Sequence, residues 1–179
     1  PQGASFPIER ALITYLEKAW KKTDHGIWEV RGPKKHFTHS KLMCWVAFDR
    51  AVKAIERFDA EDRGHLERWR GIRDEIHAEI CAKAFDPELN SFVQYYGSKG
   101  VDASLLLMPI FGFLPGDDPR VLGTIRAVEE RLKSGPFIER YDTDSGVDGL
   151  PKGEGAFLLC SFWLADCYSL AGRHKEARR

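Results

Sequence analysis

The sequence predicts an all-α protein, a toroid of paired helices with its functional loops gathered at one end. Three observations predict it. Apolar residues recur at spacings of three and four through most of the 179 residues. Amphipathic stretches alternate with a stretch that is apolar nearly all round, as in a ring whose inner elements are covered on every side. The connections do not shrink to hairpin size, and they carry Trp, Arg, Tyr and Glu. With 43% hydrophobic residues, the chain can bury a sizeable core.

The elements follow in order. A first helix is expected from about Ser5 to Lys22, with Ile8, Leu12, Tyr15, Leu16, Ala19 and Trp20 in one stripe, Ser5 as cap and Pro7 in the first turn. A loop from Thr23 to Thr38 follows. A second helix runs from His39 or Ser40 to Phe58 on Leu42, Trp45, Phe48, Val52 and Ile55. A third runs from about Asp62 to Phe85 on Leu66, Trp69, Ile72, Ile76 and Ile80, with mixed charges on its solvated face. Ser91 to Gly97 reads as a short strand-like excursion. The fourth helix, about Asp102 to Phe113, is apolar all round and should bend at Pro109. Asp118 caps a fifth helix, Pro119 opens it, and Val121, Leu122, Ile125, Val128 and Leu132 face inward. A Gly/Asp-rich loop, Ser134 to Lys152, leads to a sixth helix from about Gly153 to Ala171, lined by Phe157, Cys160, Leu164 and Cys167 and ended by Gly172. His174 onward reads as the opening turn of a seventh.

Composition excludes several partners. The 27 basic and 27 acidic residues cancel, which argues against nucleic acid or an anionic membrane. No apolar run approaches a membrane span of roughly 18 residues, and Pro1 to Ser5 shows no signal-peptide pattern. Cys44, Cys81, Cys160 and Cys167 lie in helical apolar surroundings without a CxxC, which reads as free thiols in a reducing compartment and hence a cytoplasmic protein. His36 and His39 are the one close His pair, without acidic ligands nearby in sequence, so neither a metal nor a cofactor is expected.

The chemistry concentrates in Gly26-Ile27-Trp28-Glu29-Val30-Arg31-Gly32-Pro33. A carboxyl held against an indole loses hydration and its pKa rises, which suits a general acid. Trp28 can stack on a sugar or simply pack in the core. Arg31 can orient Glu29 or contact substrate. Trp45, Trp69 and Trp163 sit on helical stripes and read as core.

Four stretches in order resemble the bacterial and archaeal branch of glycoside hydrolase family 15, which holds glucoamylases, glucodextranases and trehalases. They are Gly26 to Arg31 with His36 to Lys41; Asp102 to Leu107 with Gly112 to Pro115 and Asp118 to Val121; Arg140-Tyr141-Asp142; and Gly153 to Leu164. The resemblance implies an (α/α)6 barrel, of which residues 1–179 supply about half as a partial catalytic domain. It implies inverting hydrolysis of an α-linked glucan or disaccharide, with Glu29 as general acid and Arg140 beside Tyr141 binding substrate. Arg140 and Tyr141 can also close their loop by stacking. Glu154 starts a helix after a glycine-rich loop, where the helix dipole keeps a carboxylate ionised. It is a candidate base or a loop-orienting, sugar-touching residue, because the family pattern places the base beyond Arg179. The competing reading is a non-catalytic helical fragment that binds a carbohydrate or a partner and lacks the base. Half a toroid also implies that Leu105 to Phe111 lack their covering layer and that the chain self-associates through exposed apolar faces.

Overall fold

The computed structural model describes residues 6–58, 63–142 and 157–178. Its long helices are α1 (Phe6–Ala19), α2 (Thr38–Phe58), α3 (Arg63–Lys83), α5 (Pro119–Leu132) and α6 (Leu158–Leu170), with short α4 (Leu107–Ile110) and α7 (His174–Ala177). The expected starts at Ser5, Asp62 and Gly153 lie outside the described residues.

Cross-helix pairs fix the directions. Glu56 pairs with Arg70, and Trp45 meets His77 with ring centroids 6.2 Å apart, so α2 and α3 run antiparallel. Glu17 accepts from Trp69 Nε1 at 2.9 Å and Lys21 pairs with Glu75 at 3.1 Å, so α1 runs parallel to α3. The buried faces of α2, α3, α5 and α6 meet in one core around Phe48, Ile76, Ile125, Leu132 and Cys160. Lys41 is buried, and its ammonium donates to the carbonyls of Trp20 and Lys22, which tethers the chain just past the end of α1 to α2. Asp118 caps α5 by accepting from the Arg120 amide at 2.9 Å. Gly172 ends α6 in a Schellman arrangement, with Arg173 N donating to Tyr168 O at 2.7 Å and Gly172 N to Ser169 O at 3.1 Å.

Several expectations are corrected. The third helix stops at Lys83 because Phe85–Asp86 (β1) pairs antiparallel with Ser91–Phe92 (β2). In that hairpin turn Asp86 Oδ1 accepts from the amides of Glu88 and Leu89. The Ser134 loop opens with a second hairpin, Lys133–Ser134 (β3) with Phe137–Ile138 (β4).

The fourth helix is a 3₁₀ turn, Ala103–Leu106, followed by α4. Pro109 has no N–H for the Leu105 carbonyl, so a longer regular helix cannot form there. Leu105, Leu106, Leu107 and Met108 do not lack a covering layer. They are buried in contact with α2, α5 and α6.

The open apolar faces lie elsewhere. On α1 they are Ile8, Leu12 and Tyr15, which the expected stripe had turned inward. On α6 they are Leu158, Leu159, Phe162 and Leu170. Phe157 and Leu122 are also exposed; on α5 the inward positions beside Leu122 are the small Gly123 and Thr124.

Candidate active site

The loop between α1 and α2 is closed by its own backbone. Asp24 and Lys35 exchange amide–carbonyl hydrogen bonds at 3.0 and 2.9 Å. Asp24 Oδ1 accepts from Gly26 N at 2.6 Å and from Ser40 Oγ at 2.9 Å, which ties the loop to the first turn of α2. Gly26 takes φ +70°, and a Cβ there would stand 2.8 Å from the Phe37 ring, so this position requires glycine. Residues 26–29 then turn sharply, with Val30 N bonded to His25 O at 3.2 Å.

Trp28 and Glu29 leave this turn in opposite directions. Trp28 goes inward and half-buried. Its Nε1 donates to Asp102 Oδ2 at 3.1 Å. Its ring lies among Tyr141, Phe157 and Trp163 at centroid distances of 6.1, 6.3 and 6.4 Å. The Arg140 guanidinium sits 6.0 Å from the Trp28 ring and 5.7 Å from the Tyr141 ring, close enough for cation–π attraction to both. Glu29 goes outward and is exposed, at φ +48°, a conformation uncommon for a residue with a side chain.

The expected contact between the Glu29 carboxyl and the indole is therefore corrected: the carboxylate bonded to the indole is Asp102. Asp102 is 2% exposed, and burial pushes its pKa up to about 6 against hydrogen bonds from Ser104 and Trp28 that favour the ionised form. Ser104 Oγ donates to Asp102 Oδ1 at 2.6 Å.

Two grooves flank Val30 and Arg31. One, of about 730 Å³, is lined by Glu29 together with Asp24, Ile27, Arg31, His39 and Met43. The other, of about 360 Å³, runs along Arg31, Lys35, Tyr95, Lys99, Tyr141 and Asp142. Arg31 is exposed between the two, and no ion pair with Glu29 forms among the described residues. His39, in the first turn of α2, has its pKa lowered to about 4 by burial, with Asp24 opposing the shift.

The fold thus joins Trp28, Arg140 and Tyr141 in one cluster and sets Glu29 and Arg31 on its outer side. Glu154 lies outside the described residues. Of the three tryptophans read as core, Trp45 and Trp69 are buried, while Trp163 joins the Trp28 cluster. Asp102 is the residue that sequence reasoning missed. In the sequence it stands only as the first residue of the fourth helix, and the one further signal was its place in the Asp-Ala-Ser-Leu stretch. No group of three or more His, Cys, Asp or Glu among the described residues is arranged to hold a metal, and no described helix is long and apolar enough to cross a membrane.

Comparison with known proteins shows the family and the fold. The sequence pattern of glycosyl hydrolases family 15 matches residues 4–178. A trehalase of Thermoplasma acidophilum is 44% identical over 168 residues, which is 93% of this chain and 28% of that protein. A trehalase of Mycobacterium tuberculosis is 41% identical over 174 residues, covering 97% of this chain and 25% of that protein. The chain thus spans about a quarter of the length of the curated relatives it matches. Among solved structures, a wild-type glycosidase superposes with a TM-score of 0.81 at 19% identity, over 94% of this chain and 43% of that one. A glycosidase in complex with glucose superposes at 0.80 and 20% identity, with the same coverage. The fold is that of about half an (α/α)6 barrel.

Proposed function

The chain belongs to glycosyl hydrolases family 15, and from that premise we propose that the intact protein cleaves an α-glucosidic bond with inversion, using Glu29 as general acid. The names of its relatives direct the substrate to a disaccharide of two α-linked glucose units. The observation that carries this reading is the turn itself. It buries and bonds Trp28, and it presents the next residue, a carboxyl, to an open groove.

Inversion needs two carboxyl groups, roughly 6.5–9.5 Å apart to admit a water between one of them and the sugar. Glu29 protonates the departing glycosidic oxygen. A second carboxylate takes the proton of a water that attacks from the opposite face. Residues 1–179 act as a partial catalytic domain, and the resemblance puts that second carboxylate beyond Arg179, with Glu154 as the other candidate. Arg31, on the rim shared by the two grooves, offers several fixed donors to vicinal sugar hydroxyls. Tyr141 lines the second groove and, with Arg140, backs the Trp28 ring; that pair contacts substrate from this side. Trp28 serves the turn first, since its N–H is bonded to Asp102 and its ring is packed, which leaves a sugar the exposed remainder of its face.

Glu29→Gln in the intact protein tests the reading. Among the described residues the exposed carboxyl makes no hydrogen bond or ion pair, so the variant should fold and bind a glucose-like inhibitor normally. Its kcat on trehalose should fall by about 10²–10⁴, the usual worth of a general acid. A variant that keeps more than a few per cent of wild-type turnover removes Glu29 from the role.

A further inference from the structure

We propose that Asp102 is a positioning residue for the acid-bearing turn, and that it acts through the Trp28 indole. The proposal rests on the reading of Glu29 as the acid. Asp102 is almost wholly buried, and both its carboxylate oxygens are used: Oδ2 by Trp28 Nε1, 74 residues away, and Oδ1 by the Ser104 hydroxyl. Its backbone pairs with Tyr141, and the next amide, Ala103 N, donates to Arg140 O at 2.8 Å. One residue therefore holds the side chain next to Glu29 and the backbone that carries Arg140 and Tyr141.

The need for such a hold follows from Glu29 itself. Its φ of +48° is a left-handed conformation that persists only where the surroundings over-determine it. The anchors on either side are the Trp28 side chain and buried Val30. The Val30 side chain is held by apolar contact, which has no direction, and its amide, bonded to His25 O, closes the backbone of the turn without orienting the indole. The Trp28 Nε1 bond has one, so it fixes the rotation of the ring and with it the direction in which Glu29 leaves the turn. Without Asp102 the indole N–H would be left without its acceptor, and the ring would turn to find one.

The test compares Asp102→Ala, Trp28→Phe, their double variant, Asp102→Asn and Glu29→Gln in the intact protein, with thermal unfolding to confirm folding. Displacement of a catalytic group by about 1 Å is worth on the order of 10²-fold in rate. Asp102→Ala and Trp28→Phe should therefore each lower kcat by about that factor, with KM changed far less. The double variant should be no slower than the slower single, because both changes cut the same link. Asp102→Asn keeps a carbonyl acceptor for Nε1 and should recover most of the loss. Should Asp102→Ala fail to fold, Trp28→Phe and Asp102→Asn carry the comparison. Losses that multiply in the double variant, or wild-type kcat in Trp28→Phe beside an inactive Glu29→Gln, overturn the positioning role and leave the acid assignment standing. An active Glu29→Gln overturns the assignment, and the proposal with it.

Discussion

In the α2–α3 pair, residues three and four apart do the same work; in the turn from Gly26 to Glu29, residues one apart do opposite work. Phe48, Val52 and Ile55 of α2 repeat the same burial against Trp69, Ile76 and Ile80 of α3. Trp28 turns to a buried carboxylate while Glu29 turns to solvent. The first region is held by apolar area, which tolerates adjustment. The second is held by a few directional bonds between residues far apart in sequence. Stability and chemistry are thus lodged in different kinds of contact, and single substitutions should separate them.

The largest effects break the comparison along that line. Phe48→Ala removes a ring that is 0% exposed and should cost about 3–5 kcal/mol of stability by transfer and cavity terms. The molecules that remain folded should keep wild-type kcat. Glu29→Gln should do the reverse, with a large fall in kcat and an unchanged urea midpoint. A Phe48→Ala protein that unfolds no more readily than wild type, or a Glu29→Gln protein that unfolds well before it, would show the two regions to be one energetic unit.

The same contrast explains what could be read from the sequence. Periodicity places α2, α3 and α5 within a few residues, because each face repeats its own instruction every turn. It fails for Ile8, Leu12 and Tyr15, which keep the helical spacing yet face solvent. It also fails for Leu105 to Met108, where Pro109 converts an all-apolar helix into a 3₁₀ turn and one short helix. Spacing says that a face is apolar, and only the tertiary packing says what covers it. The site was legible as far as its local motif, since Trp28, Glu29 and Arg31 are neighbours in sequence. Its support was not. An aspartate at the start of an apolar run marks only where a helix begins, and nothing local announces that its partner is an indole 74 residues earlier.

A smaller effect sharpens the comparison through pH. Asp102 is raised from the ordinary 3.8 to about 6, mainly by burial. Its folded state holds a proton more tightly than its unfolded state, so its contribution to stability is full below the unfolded pKa and is lost as pH rises through about 6. A shift of about two units is worth at most about 3 kcal/mol. Asp102→Asn removes the titration. Its stability relative to wild type, measured in urea, should rise by up to that amount between about pH 4 and 6. A difference that stays flat over this window would mean that the Asp102 carboxyl is not dehydrated in the folded protein.

The smallest effect comes from His39 and has the opposite sign. Burial lowers its pKa from 6.5 to about 4, with Asp24 opposing. The first turn of α2 also disfavours a positive charge there. The unfolded state therefore binds the proton first, so the stability His39 contributes is present above about pH 6.5 and is lost as pH falls toward 4. Its imidazole keeps part of its solvent contact, which holds the effect well below the roughly 3–4 kcal/mol that a full shift of this size would give. Between about pH 4 and 6 the two groups pull against each other, and the wild-type profile should be flatter than either alone. Asp102→Asn should uncover a rise with pH driven by His39. His39→Gln should uncover a fall driven by Asp102. Slopes of the same sign in the two variants would show that the buried carboxyl behind the turn and the imidazole in front of it do not titrate as their burial requires.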